Sequence, residues 1–252
     1  MGTTEGVEPL IKQLWHTIAR GFSTTVLCLL YRVRIYNKKN IRRRGPLLIL
    51  STHQSYFDPM FVQSWVLRNF YFVARESLFK TRIIGPILSS LLIIPIKQGA
   101  GDISAMRRII AKLKGGGAVC LFPEGTRTFD GKVQDVKPGF GLISRRGDAD
   151  VLPAVVDGAY EAWPRTRKSP GLGKVAVMFG EVIPREEIDR LGDREFARVL
   201  TEKLREMHNE LRVKMGKEPL DYSTPPSEEA DHARASAENE AGVPTARLDR
   251  AE

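Results

Sequence analysis

Six short apolar runs alternate with amphipathic stretches through most of this chain, and that alternation restricts its fold more than any other feature. The runs are rich in Val, Ile, Leu and Phe and occupy residues 46–51, 70–74, 92–96, 118–122, 151–156 and 174–179. Helical patterns lie between many of them, most clearly in DISAMRRIIAKLKGGG (residues 102–117), where glycines end the helix. Continuous apolar strands that alternate with helices are typical of sheets covered on both faces. We therefore expect an α/β fold with a largely parallel central sheet flanked by helices.

The N-terminal segment combines an apolar helical face with a cluster of positive charge. Its longest charge-free run, residues 21–31, is 11 residues long, whereas a membrane-spanning helix needs about 20. Residues 32–45 then contain seven Lys or Arg and no acidic residue. This combination favours an amphipathic segment over residues 1–31 that lies on an anionic membrane surface. A core helix followed by a solvated charged loop is the alternative interpretation. The apolar positions recur at helical spacing at Leu10, Leu14, Ile18, Phe22, Val26, Leu29 and Leu30.

Charge and composition divide the rest of the chain. Residues 217–252 carry a net charge of −5, and residues 1–216 carry +14. The acidic stretch has few large apolar residues, so we expect a disordered tail over residues 217–252. An amphipathic helix near residues 193–215 would close a folded domain over residues 32–216. A folded region with this much net positive charge indicates an anionic partner, such as a membrane surface, a phosphorylated metabolite, an acidic protein or nucleic acid.

Two polar clusters stand where apolar strands end. His53 and Asp58 follow the first run. The FPEGTR stretch begins with the last residue of the fourth run, Phe122, and continues beyond it. Ligands gather at the carboxyl ends of parallel strands, so neighbouring strands would bring both clusters to one edge of the sheet. A neutral imidazole oriented by a carboxylate can accept a proton from a hydroxyl, and the planar guanidinium of an arginine suits phosphate. The second cluster supplies Glu124, Gly125, Thr126 and Arg127.

Other interpretations of these residues are open. His53 alone could be a satisfied loop residue, and Asp58 could cap the helix that follows it. No nucleophile elbow surrounds Ser55. One histidine with scattered carboxylates does not make a metal site, so we expect no metal and no cofactor. Nucleic acid is not expected as a partner, because no aromatic base-stacking motif accompanies the basic cluster. Both cysteines, Cys28 and Cys120, lie in apolar runs, which favours a reducing compartment over a disulfide framework.

Three motifs resemble those of the glycerophospholipid acyltransferases. HQSYFD (residues 53–58) resembles the H-x4-D motif of that family, and FPEGTR (residues 122–127) resembles its second signature. LPAVVDGAYEAWP, which contains Pro153, is similar to the family's fourth conserved block. The chain is most similar to the 1-acylglycerol-3-phosphate acyltransferases, over about residues 30 to 215.

The resemblance implies roles for the clustered residues. His53 would be the general base on the acceptor hydroxyl, and Asp58 would orient it. Glu124, Gly125, Thr126 and Arg127 would contact the acceptor and its phosphate. The resemblance also implies acyl-CoA or acyl-acyl-carrier protein as donor, a lysophospholipid as acceptor, and attachment to the cytoplasmic face of a membrane through the N-terminal helix.

The sequence departs from the family pattern at Gln98, where relatives carry an arginine. Lys97 precedes it, and both are candidate substrate contacts. The acceptor therefore stays open between lysophosphatidate held by Arg127 and Lys97, another lysolipid such as a lyso-aminolipid, and glycerol 3-phosphate. A non-catalytic membrane module that binds anionic lipid is the alternative of a different class.

Overall fold

A seven-stranded sheet forms the centre of the computed structural model, which describes residues 18, 21–22, 24–81, 85, 88, 91–96 and 103–223. The strands are β1 (Arg34–Tyr36), β2 (Leu47–Ser51), β3 (Phe70–Arg75), β4 (Leu92–Ile96), β5 (Ala118–Leu121), β6 (Asp150–Asp157) and β7 (Ala176–Phe179). Their order across the sheet is β1-β7-β6-β2-β5-β3-β4. The six apolar runs correspond to β2 through β7.

The pairing is parallel throughout this sheet except between β6 and β7. The central strand β2 lies between β5 and β6, with Leu47 opposite both Ala118 and Asp150. The prediction of a largely parallel sheet is confirmed. Strand β1 was missed because it has only three residues, one of them an exposed arginine, and lies at the edge of the sheet beside β7.

Helices cover both faces of the sheet. After β2, the described part of the chain forms the α-helices α1 (Asp58–Gln63), α2 (Ile103–Lys114), α3 (Phe140–Gly147), α4 (Ala159–Ala162) and α5 (Arg185–Lys214), and 3₁₀ turns lie at Lys38–Asn40 and Glu76–Lys80. Helix α5 kinks at Gly192, whose φ of 73° lies outside the helical region. Alternate residues of β2 enter opposite cores: Leu47 and Ile49 pack with Phe61, and Leu48 and Leu50 pack with Leu200.

The described part of the N-terminal segment presents an apolar surface. Residues 24–30 are helical, and Cys28 is buried on their inner side. The large apolar side chains that stay exposed there belong to Ile18, Phe22, Val26, Leu29 and Leu30. Leu10 and Leu14 lie outside the described residues. Within the described ranges, no helix combines the length and the apolar character needed to cross a bilayer.

The start of the acidic tail differs from the expectation of disorder. Residues 217–223 lie against the domain through polar contacts. Lys217 Nζ donates to Asp157 Oδ2 at 2.7 Å, and the Tyr222 hydroxyl lies 2.7 Å from His208 Nδ1. The amino-acid composition did not predict these contacts, because polar contacts of this kind need few apolar residues. Residues 224–252 lie outside the described part of the chain, where disorder stays a prediction.

Candidate active site

The two polar clusters lie side by side at one edge of the sheet. Because β2 and β5 are parallel neighbours, with Leu50 opposite Leu121, the chain leaves both strands in the same direction. The backbone N–H of His53 donates to Glu124 Oε1 at 2.7 Å, and its carbonyl accepts from the N–H of Thr128 at 2.8 Å. The His53 ring stacks on Phe122 with 3.9 Å between the ring centroids. The structure therefore brings together the two clusters that the sequence singled out.

His53 and Asp58 form a direct pair. His53 Nδ1 lies 2.7 Å from Asp58 Oδ2, and the same oxygen accepts the backbone N–H groups of Gln54 at 2.6 Å and Ser55 at 2.7 Å. Asp58 is fully buried and is the first residue of α1. The N-cap position belongs to Phe57, so Asp58 is not the cap that the alternative interpretation assigned. Its carboxylate instead turns back and fixes the loop that carries His53.

The electrostatic environment of His53 favours a neutral imidazole. Burial lowers the pKa of His53, while the hydrogen bond to Asp58 opposes that shift. The side chain keeps 20% of its surface exposed. Among the described residues, no hydrogen bond engages its Nε2 atom. One ring nitrogen is thus held by a carboxylate, and the other can meet a substrate hydroxyl.

Glu124 links the loops around the site. It is buried, and its two carboxylate oxygens accept the backbone N–H groups of His53 at 2.7 Å and Gln134 at 3.0 Å. Burial raises the pKa of Glu124 to about 8, although these two hydrogen bonds act against the shift. Because both oxygens are engaged by the backbone, the geometry favours a bracing function for this side chain. The acceptor contact that the resemblance implies for Glu124 stays a prediction.

The loop of residues 122–127, here called the signature loop, also carries the half-buried basic side chain of Arg127. Gly125 is exposed and has a φ of 76°, a left-handed conformation that favours glycine. The guanidinium of Arg127 lies 3.5 Å from the centroid of the Tyr56 ring. Its Nη1 atom is buried and has no hydrogen-bond partner within the described ranges. Thr126 follows Gly125, and its hydroxyl accepts from Arg165 Nη1 at 3.2 Å.

Two candidate contacts fall outside the part of the chain that the structure describes. Strand β4 ends at Ile96, opposite Arg75, and the described chain resumes at Ile103. Lys97 and Gln98 lie in this gap, so their contact with a substrate stays a prediction. Among the described residues, no three His, Cys, Asp or Glu side chains come together as a metal-binding group.

Sequence reasoning missed two side chains at the site. Gln54 ties its loop to the neighbouring loops, since its side chain donates to the Gly131 carbonyl at 3.1 Å and accepts from the Tyr160 N–H at 3.2 Å. Arg165 stands in the run WPRTRK and looks like an ordinary solvated charge. A signal did exist for both, because Gln54 lies inside the first motif and Arg165 directly follows the stretch that resembles the fourth block.

Comparison with known proteins gives consistent matches. Residues 32–157, half of the chain, match the family model named Acyltransferase. The chain is 27% identical to the 1-acyl-sn-glycerol-3-phosphate acyltransferase of Bacillus subtilis, over 75% of this chain and 93% of the relative. It is 26% identical to a chloroplastic 1-acyl-sn-glycerol-3-phosphate acyltransferase of Arabidopsis thaliana, over 62% of this chain but only 45% of that longer relative.

A solved structure agrees with these matches. The crystal structure of the 1-acyl-sn-glycerophosphate acyltransferase PlsC from Thermotoga maritima superposes with a TM-score of 0.65 at 25% sequence identity. The superposition covers 79% of this chain and 80% of that protein. The fold and the two adjoining motifs thus agree with the family model that spans half of the sequence, and this chain belongs to the acyltransferase family.

Proposed function

We propose that this protein transfers a fatty acyl group from a thioester to the 2-hydroxyl of 1-acylglycerol 3-phosphate, which yields phosphatidic acid for phospholipid synthesis. The observation that carries the proposal is the His53–Asp58 pair, 2.7 Å apart, beside the guanidinium of Arg127. A base and an anion-binding group at one sheet edge suit an acceptor with both a hydroxyl and a phosphate. The names of the relatives support the same substrate class.

The reaction is a direct acyl transfer. Nε2 of His53 takes the proton of the acceptor hydroxyl while its oxygen attacks the thioester carbonyl. The tetrahedral intermediate then expels the thiolate, which takes the proton from the imidazolium. Asp58 accepts a hydrogen bond from the Nδ1–H group of His53, so it fixes the tautomer that leaves Nε2 free and stabilises the imidazolium. The two backbone N–H groups that bind Asp58 hold this carboxylate in place. No covalent acyl-enzyme is needed.

The signature loop binds the acceptor in this proposal. Arg127 donates to the phosphate, and its stacking on Tyr56 holds the planar guanidinium in one orientation. Gly125 permits close approach of the acceptor to the backbone, since it has no side chain. Thr126 supplies a hydroxyl on the same loop. Lys97 and Gln98 are proposed as further acceptor contacts because they follow the end of β4.

The N-terminal segment holds the enzyme at the membrane that contains its acceptor and product. The exposed side chains of Phe22, Leu29 and Leu30 supply an apolar surface, and the seven basic residues between 32 and 45 follow directly. Such a combination suits a cytoplasmic membrane surface rich in anionic lipid. The basic domain also suits either donor, because acyl-CoA carries phosphates and acyl carrier protein is acidic.

The test measures thiol release by the purified full-length protein with acyl-CoA and, separately, with acyl-acyl-carrier protein. Lysophosphatidate, glycerol 3-phosphate and a lyso-aminolipid are supplied in turn, and the lipid product is identified by mass. We expect acceptor-dependent thiol release that is fastest with lysophosphatidate, and a product with one added acyl chain. Vesicle binding without thiol release would indicate the non-catalytic lipid-binding module instead. Preference for another acceptor would reassign the substrate.

A further inference from the structure

We infer that Arg165 forms, together with Arg127, a two-guanidinium site for a phosphate monoester. The inference rests on the proposed function and adds a residue that none of the three sequence motifs contains. It also restricts the acceptor class to lysolipids that end in a phosphate monoester, and it disfavours lysolipids with a neutral head group.

Two contacts hold the Arg165 side chain against the loop that carries Arg127. It follows α4 and the buried Trp163. Its Nη1 atom donates to the Thr126 hydroxyl at 3.2 Å, and its guanidinium lies 4.1 Å from the centroid of the Phe129 ring. These contacts lie on either side of Arg127 in the sequence. A hydrogen bond at one point and a stacked ring at another give the Arg165 guanidinium a defined place at the site.

Arg127 is fixed in a similar way on the same side of the sheet. Its guanidinium stacks on Tyr56, which belongs to the loop that carries His53. The two positive charges are close enough to interact: burial lowers the pKa of Arg127, Tyr56 and the charge of Asp58 oppose that shift, and the charge of Arg165 adds to it. Two neighbouring cations repel each other, and an anion that contacts both relieves that repulsion. The arrangement is therefore suited to a doubly charged ligand.

Hydrogen bonds fix the two carboxylates of the site, although the charge of Asp58 also acts on Arg127. Both oxygens of Glu124 accept backbone N–H groups, and Asp58 Oδ2 is shared by His53 and two backbone N–H groups. A third basic side chain borders the loop, since a Cβ placed on Gly125 would lie 3.3 Å from the side chain of Lys137. Three basic side chains therefore adjoin the signature loop, and planar guanidinium groups match phosphate oxygens by paired hydrogen bonds.

A phosphate monoester could come from the acceptor or from the 3′-phosphate of coenzyme A. The site adjoins the loop of His53, so we assign it to the acceptor. The variants for the test are Arg165→Gln, Arg165→Lys and, as matched control, Lys168→Gln. Lys168 is exposed on the same loop as Arg165, and its replacement by Gln removes the same charge. Each variant is assayed with lysophosphatidate and with a monoacylglycerol of the same chain, with KM for acyl-CoA and the melting temperature as further readouts.

We expect Arg165→Gln to lower kcat/KM for lysophosphatidate by roughly 10- to 150-fold, the range for one charged hydrogen bond. The loss should appear mainly as a raised KM, because phosphate binding is shared by ground state and transition state. Activity on monoacylglycerol, KM for acyl-CoA and the melting temperature should stay unchanged. Arg165→Lys should be intermediate, and Lys168→Gln should resemble the wild type.

Several results would overturn the assignment. Equal losses on both acceptors would make Arg165 a structural residue, and a raised KM for acyl-CoA alone would place the donor phosphate there. Equal effects of Arg165→Gln and Lys168→Gln would reduce the effect to general surface charge. A wild-type protein that acylates lysophosphatidate, with that preference intact in Arg165→Gln, would refute the inference and leave the proposed function standing. A wild type inactive on lysophosphatidate would refute both.

Discussion

Two histidine–aspartate pairs lie close to each other in this protein, and they differ in what surrounds the imidazole. In the first, His53 Nδ1 lies 2.7 Å from Asp58 Oδ2. In the second, His208 Nε2 lies 3.1 Å from Asp157 Oδ1. The His53 side chain keeps 20% of its surface exposed, whereas that of His208 is fully buried.

The second pair belongs to a closed network. The other ring nitrogen of His208 contacts the Tyr222 hydroxyl, and Asp157 also accepts from Arg212 at 3.1 Å and from Lys217 at 2.7 Å. Burial alone would raise the pKa of Asp157, but hydrogen bonds and positive charge from His208 and Lys217 hold it below the usual range. Both nitrogens of His208 are therefore occupied by the protein. A carboxylate beside a histidine does not by itself indicate a catalytic base, because the base also needs a free second nitrogen.

The buried His208–Asp157 pair nevertheless supports the His53–Asp58 pair. The Gln54 side chain lies 3.4 Å from His208 Nε2, and the Gln54 backbone N–H donates to Asp58 Oδ2. Gln54 thus connects the buried network to the loop of His53. We interpret His53 as the residue that performs chemistry and His208 as a residue that stabilises the loop around it.

The largest expected effect separates the two histidines. His53→Ala should lower turnover by about 10²- to 10⁴-fold, the usual contribution of a general base, with little change in melting temperature. His208→Ala should do the opposite, because it removes a fully buried ring and its contacts with Asp157 and Tyr222, and a buried polar group left without a partner costs about 1–3 kcal/mol of unfolding free energy. Activity on lysophosphatidate and urea denaturation, measured well below the melting temperature, check both expectations.

A folded His208→Ala protein as inactive as His53→Ala would break this comparison. It would mean that the buried pair takes part in the reaction or controls the position of His53 completely. A severely destabilised His53→Ala would equally count against it, since the imidazole would then be needed for folding.

The segment after α5 gives the next effect in size. Truncation after Gly216 removes Lys217 and Tyr222, so it should lower the free energy of unfolding by about 1.5–3 kcal/mol, the contribution of a charged hydrogen bond. Truncation after Ser223 keeps both contacts and serves as the matched control, and it should resemble the full-length chain. Urea unfolding of the three proteins makes the comparison. Equal stability of the two truncated forms would show that residues 217–223 add nothing.

The smallest effect isolates one hydroxyl group. The Tyr222 hydroxyl contacts His208 Nδ1 and accepts from the Val133 N–H at 3.3 Å. Tyr222→Phe keeps the ring and should lower the free energy of unfolding by about 1 kcal/mol. The His53 site should keep its turnover number, since the change lies at the far side of His208. A loss of activity without a loss of stability would place Tyr222 among the positioning residues of the site.

Local patterns in the sequence were enough to predict the sheet and the two motifs. Each of the six apolar runs became a strand because buried strands require continuous apolar residues. The parallel pairing of β2 and β5 then brought His53 and Glu124 together, as their positions at strand ends indicated. Strand β1 lacked this signal, since it is short and stands at the edge of the sheet.

The contacts that the sequence did not reveal all join distant segments. Arg165 reaches Thr126 across 39 positions, and His208 reaches Asp157 across 51. Tyr222 and Lys217 are isolated polar residues in an acidic stretch, where composition favours disorder. Such hydrogen bonds depend on how the helices pack, so no local spacing records them. These contacts engage both ring nitrogens of His208, whereas His53 stays accessible to a substrate.

The pH dependence of kcat/KM tests the central claim, that His53 is the base, most directly. Because burial lowers the pKa of His53, the acid limb should have an apparent pKa below 6.5, with activity lost as His53 becomes protonated. The limb should appear with lysophosphatidate and with monoacylglycerol alike, which excludes the phosphate of the acceptor as its source. The limb should persist in Glu124→Gln. Burial raises the pKa of Glu124 to about 8, so this variant tests whether Glu124 is the group that titrates instead of His53. A profile without an acid limb, or one whose limb disappears in Glu124→Gln, would contradict the assignment of His53 as the base.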